Sequence, residues 1–97
     1  MTKFNFVAEV IHWRGPAPFY FARLPAEVAQ KVSEMAKAVS YGWGVIPVEA
    51  VIGGVMFRTS LFPKEGGYLL PLKDAVRKKI DIPENGVLEI GMVVGPA

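Results

Sequence analysis

The sequence predicts a mainly β, α+β domain: a small closed β-barrel of about six strands with two helices and a pseudo-twofold internal repeat. Three observations carry this expectation. Short apolar or alternating segments recur along the chain, each bounded by glycine- and proline-bearing turns. Two amphipathic helical patterns interrupt them. The two patterns also share a lead-in: FYFARLPAEVAQKV and GGYLLPLKDAVRKK each run from a strand end through Leu-Pro into a helix, with Leu24-Pro25 and Leu70-Pro71 46 residues apart. Two such halves closing on each other make a barrel, which leaves no exposed sheet edge.

Residues 4–13 alternate as a strand with apolar residues on both faces, so the strand belongs at the centre of a sheet or in a barrel wall. Arg14 to Pro18 is turn chemistry, and 19–23 returns as a second strand. Pro25 suits the first position of a helix because its missing N–H has no intrahelical partner there in any case. Val28, Val32, Met35, Ala36 and Val39 form the buried stripe of that helix, and Glu27 four residues before Lys31 supports its exposed side. Ser40 to Gly44 ends it. Residues 45–52 read as a strand, with Pro47 confined to an edge, a strand start or a bulge. Gly53-Gly54 marks a two-residue hairpin into a strand over 55–62, with Val55, Phe57, Thr59 and Leu61 on one face. Residues 63–67 read as a loop, 68–70 as a short strand and 72–80 as a helix whose apolar side is Leu72, Ala75, Val76 and Ile80. The turn over 83–86 leads into a last strand over 87–94. The expected core is Phe6, Val10, Val28, Val32, Val51, Phe57, Leu61, Leu70, Val76 and Leu88.

At 97 residues and 52% hydrophobic, the chain is expected to be a single domain with one real core. The absence of cysteine excludes disulfides and thiolate metal sites and fits a reducing cytoplasm. The start of the chain lacks a signal-peptide pattern, and no apolar run approaches the ~18 residues of a membrane span, so the expectation is a soluble cytoplasmic protein with no membrane partner. A net charge of +2 allows an anionic partner without demanding one.

Residues capable of chemistry are few. His12 is the only histidine, so one chain cannot build a histidine-rich metal site. Thr59 and Ser60 carry hydroxyls but no nucleophile elbow surrounds them, and the carboxylates are scattered. Gly66-Gly67 meets neither the Walker nor the dinucleotide pattern. Lys73, Arg77, Lys78 and Lys79 make the one concentrated basic surface; Lys73 and Arg77 share a helix face, where like charges repel unless an anion, Asp74 or Glu65 among the candidates, sits opposite. Trp43 and Tyr41 beside glycines are placed to line a pocket or to cap the barrel end. The candidate ligand- or anion-binding set is therefore Trp43, Arg58, Thr59, Ser60, Lys73 and Arg77, with no catalytic residue, no metal and no cofactor.

TSLFP (59–63), GGY (66–68), LPLK (70–73) and VRK (76–78), preceded by IGG (52–54), resemble the signature of a small prokaryotic family of unknown function. FARLPAEVAQKV extends the resemblance over nearly the whole chain. It implies a double-split β-barrel, in some members fused to a YdeI-like domain associated with bacteriocin protection. Members commonly carry Gly-Asp at the turn before the last strand; Asn85-Gly86 here keeps the turn and loses the carboxylate. The stretch from Gly66 to Ile90 is more distantly similar to AbrB-like swapped-hairpin regulators, which implies nucleic-acid binding. The leading expectation is a non-catalytic binding or interaction module for a small anionic ligand or a protein partner, with a nucleic-acid-binding regulator as the alternative.

Overall fold

The computed structural model describes residues 3–13, 19–39, 46–82 and 86–95. Six strands and two helices follow in the order β1 (Lys3–Trp13), β2 (Phe19–Arg23), α1 (Ala26–Val39), β3 (Ile46–Ile52), β4 (Val55–Lys64), β5 (Gly67–Pro71), α2 (Asp74–Arg77) and β6 (Val87–Val94). The strands close a barrel in the order β1-β2-β5-β4-β3-β6, antiparallel at every step. This is the expected barrel of six strands with two helices. No helix among the described residues is long and apolar enough to cross a membrane.

The strand order is unchanged when β1, β2 and β3 are exchanged for β4, β5 and β6, so the barrel has two equivalent halves. Two reciprocal hydrogen bonds join them: the Leu24 N–H donates to the Tyr68 carbonyl (3.1 Å) and the Leu72 N–H to the Tyr20 carbonyl (2.9 Å). Tyr68 and Leu72 stand 48 residues after Tyr20 and Leu24. The repeat therefore aligns Leu24 with Leu72, two residues away from the Leu-Pro match that the sequence offers. Pro71 closes β5 opposite Phe21 rather than opening a helix, a strand-end position where a missing N–H is tolerated. Leu72 is held to β2 by its own N–H, so α2 begins only at Asp74.

The pattern over 72–80 predicts a longer helix than the single turn observed. Lys79 N–H donates to the Val76 carbonyl (2.9 Å), an i→i+3 bond that tightens the chain. Ile80, whose N–H also donates to the Val76 carbonyl (3.2 Å), is buried as expected, while Ala75, expected on the apolar side, is exposed.

Inward alternation builds the core. Ile46, Val48, Ala50 and Ile52 of β3 and Leu88, Ile90, Met92 and Val94 of β6 are all buried. Val32, Leu61, Leu70, Val76 and Leu88 are buried as expected, and Phe6, Val10, Val28 and Phe57 pack against them while partly exposed. Val51 is the exception at 40% exposure. Side chains alternate along a strand, so placing Ala50 and Ile52 inside puts Val51 outside. There it pairs with Met56 on one side and Gly91 on the other.

Two tight turns set the registers. Gly53 (φ 56°) and Gly54 (φ 81°) form the two-residue hairpin between Ile52 and Val55, as the Gly-Gly pair predicts. The expected loop over 63–67 is instead a second two-residue hairpin, with Glu65 (φ 51°) and Gly66 (φ 81°) joining the paired Lys64 and Gly67. Both its central residues are left-handed, the conformation a two-residue turn adopts to match strand twist. The expected turn over 14–18, the helix end over 40–44 and residues 83–85 lie outside the described residues, as do Tyr41 and Trp43.

This packing separates an inward position of β4 from an outward position of β3 by energy. Leu61→Ala, at a site with no exposure, is expected to cost ~2–5 kcal/mol. Val51→Ala is expected to stay within about 1 kcal/mol, because a surface side chain loses little on truncation. Urea denaturation of both variants measures the difference, and similar midpoints would contradict the inside-outside assignment of β3 and β4.

Candidate functional site

The sequence-derived candidates are dispersed over the barrel. Arg58 projects from the outer face of β4, and its Nε donates to Glu49 Oε2 across the β3–β4 ladder (3.3 Å). Thr59 and Ser60 follow on opposite faces of β4, both half-buried. Lys73 is exposed immediately before α2, and Arg77 is half-buried at its end. Trp43 lies outside the described residues. The anion opposite the basic cluster is Asp74, which pairs with Arg77 (3.3 Å) and with Lys78 (3.3 Å).

Arg77 is the best-tethered side chain of that cluster. Its Nε donates to the Leu72 carbonyl (3.1 Å), an Nη reaches Asp74, and the guanidinium carbon lies 4.2 Å from the centre of the Tyr20 ring. His12, opposite Tyr20 in the β1–β2 ladder, stacks on the same ring with centroids 4.3 Å apart and planes within 1°. A parallel ring at that distance covers one face of Tyr20, which leaves the other to the guanidinium.

The corresponding place in the other half is open. A groove of about 460 Å³ runs between α1 and the β4–β5 hairpin, lined by Leu24, Ala29, Gln30 and Ser33 on one side and by Lys64 to Leu69 on the other, with Arg23 at its edge. A second concavity of about 360 Å³ adjoins it and shares Arg23, Lys64, Glu65 and Leu69. By the 48-residue offset, Tyr68 corresponds to Tyr20, Leu24 to Leu72 and Ala29 to Arg77. The helix starts agree with that correspondence: the Ala29 N–H donates to the Pro25 carbonyl at 2.9 Å, as the Arg77 N–H does to the Lys73 carbonyl at 2.9 Å. Where one half carries an arginine over its tyrosine, the other carries a methyl group.

The charges differ as well. Asp74, the carboxylate partner of Arg77, corresponds to Ala26, and Pro71 corresponds to Arg23. The open groove therefore lacks both the cation and its matching anion, and the charged residues that line it are Arg23, Lys64 and the carboxylate Glu65. Among the described residues Arg23 makes no ion pair, although Glu9 stands opposite it in the β1–β2 ladder.

Neither groove is lined by Arg58, Thr59, Ser60, Lys73 or Arg77. Arg23, Lys64 and Tyr68 read in sequence only as a strand end, a loop and a short strand. The signal that finds them is the alignment of Tyr20 and Leu24 with Tyr68 and Leu72, which sets Ala29 against Arg77.

A closed six-stranded antiparallel barrel of two equivalent halves, one self-filled and one grooved, defines the class of domain. The chain belongs to the family described as a domain of unknown function, DUF1905, whose model matches residues 6–92. No curated protein matches the chain.

The Arg77 assembly has a measurable energy. A double-mutant cycle of Arg77→Ala with Tyr20→Leu is expected to give ~0.5–2 kcal/mol of coupling in folding stability. Lys78→Ala, which removes only an exposed ion pair, should change stability by less than ~0.5 kcal/mol. Additivity of the Arg77 and Tyr20 substitutions would show that the stack contributes nothing.

Proposed function

We propose that the domain is a non-catalytic binding module that takes a small anionic ligand in the groove between α1 and the β4–β5 hairpin. The observation that carries the proposal is Arg23, a guanidinium without an ion pair among the described residues, at the edge of a groove that Lys64 also lines. A guanidinium presents two parallel N–H donors to a carboxylate or phosphate, and such charge-assisted bonds are about twice as strong as neutral ones. Gln30, Ser33 and Tyr68 add neutral polar groups along the walls.

A protein partner is the second reading, favoured by the outer face of β1, β6, β3 and β4. Val7, Val51 and Met56 are exposed there at 53%, 40% and 63%. Nucleic acid ranks below both, because Asp74 engages two of the four basic residues around α2 and Arg77 is folded back onto Tyr20.

The groove gives a signed pair of outcomes. Arg23→Ala is expected to weaken acetate or phosphate binding roughly three- to tenfold, the loss of ~1 kcal/mol of charge-assisted contact. Glu65→Gly is expected to tighten binding and also to stabilise the fold by ~1 kcal/mol, since it removes a repelling carboxylate and a non-glycine residue at positive φ. Calorimetric titration and thermal melting read the two effects. Unchanged affinity in both variants would exclude the groove as the anion site. For duplex DNA, no binding is expected even at about 50 mM salt; salt-sensitive micromolar binding would favour a phosphate-reading surface instead.

A further inference from the structure

We propose that the ligand of the groove is a flat aromatic anion, an aryl or heteroaryl ring bearing a carboxylate or phosphate, which stacks on Tyr68 while its charged group meets Arg23. This rests on the groove being the anion site and names the chemistry that site selects. The internal repeat supplies the shape. In the α2 half the equivalent tyrosine, Tyr20, is covered by a planar conjugated group, the Arg77 guanidinium, at 4.2 Å. The α1 half keeps the tyrosine and the strand-to-helix geometry but places Ala29 where Arg77 stands, so among the described residues no planar group of the chain lies over Tyr68 and a ligand can take that place. The charge pattern supplies the sign. A guanidinium ligand would lack the carboxylate that Asp74 provides in the other half, since Ala26 takes that position, and would face Arg23 and Lys64. An aromatic ring substitutes for the guanidinium plane against Tyr68, and its attached anion meets Arg23. Glu65 is the one opposing charge on the groove wall, and it sits at the hairpin tip.

Benzoate and acetate carry the same charge and differ in the ring, so their ratio isolates stacking from anion binding. Benzoate is expected to bind wild-type protein at least about fivefold tighter than acetate, and Tyr68→Leu should bring that ratio down to about one. Benzamidinium, as flat as benzoate but cationic, should bind more weakly than either. Ala29→Arg restores the arginine of the other half; it should block benzoate by filling the groove and leave no residue of the groove wall missing. Perturbation of Tyr68 ring resonances on benzoate addition, in the folded wild type, locates the contact independently of any variant. Equal affinity for benzoate and acetate, both weakened in Arg23→Ala, would overturn the aromatic ligand and leave the anion site standing. Benzamidinium binding tighter than benzoate would overturn the sign of the ligand. The absence of binding by every probe up to tens of millimolar would overturn both the aromatic ligand and the anion site.

Discussion

The barrel depends on the join between β2 and β5, where each half hands the other a backbone hydrogen bond. Leu24 N–H reaches Tyr68 and Leu72 N–H reaches Tyr20 at the points where each strand gives way to its helical segment. An antiparallel pair can be extended indefinitely, but a closed barrel needs the first and last strands to find partners without leaving an edge. Here β2 and β5 close one side and β3 and β6 the other, and every strand has two neighbours. The reciprocal bonds also fix where the helical segments begin, two residues past each leucine. The walls of both tyrosine sites follow from that.

The same frame then tolerates different fillings. Its shared positions are those the core demands: Leu24 and Leu72 are both buried, as are Val32 and Ile80, at 48 residues' separation. The positions beside the two tyrosines differ instead. At one such position the chain has Arg77, and its planar head is held by a ring, a carbonyl and a carboxylate. At the other it has Ala29, buried in the wall of an open groove. A symmetric fold with an asymmetric rim can be anchored at one end and receptive at the other, because the anchored end carries its own occupant.

Much of the barrel was legible in the sequence because its signals are local. The Gly53-Gly54 hairpin, the alternation of 55–62 and the last strand over 87–94 depend on backbone conformations and side-chain faces that neighbouring residues dictate. Register between the halves is not local: the Leu-Pro motif matches Leu24 with Leu70, whereas the reciprocal backbone bonds match it with Leu72. Leu-Pro recurs at 24–25 and 70–71, but proline can start a helix or end a strand, and nothing within the motif distinguishes the two. The face of Val51 is set in the same non-local way: Val51 and Ile52 are both strongly apolar, and the ladders to β4 and β6 decide which points inward. The basic residues around α2 stood out because they are consecutive. Arg23, Lys64 and Tyr68 are separated along the chain and meet only when β2, β4 and β5 are side by side.

The hairpin between β4 and β5 connects this geometry to selectivity. Its turn needs two left-handed residues, and glycine satisfies that at Gly66 without strain, whereas Glu65 adopts φ 51° with a side chain that disfavours it. A stability-optimised turn would carry glycine or asparagine there. Glu65 instead places a carboxylate next to Lys64 at a point where both grooves meet. An anion entering between Arg23 and Lys64 must displace or avoid that carboxylate, and the contacts that compensate have to come from elsewhere on the ligand. Charge alone is thus a weak selector at this site, with two cations set against one anion on the same short turn and strand ends. In the proposed site, a ring face on Tyr68 that bulk anions cannot use would discriminate between ligands of equal charge, a selection that Arg23 alone does not make.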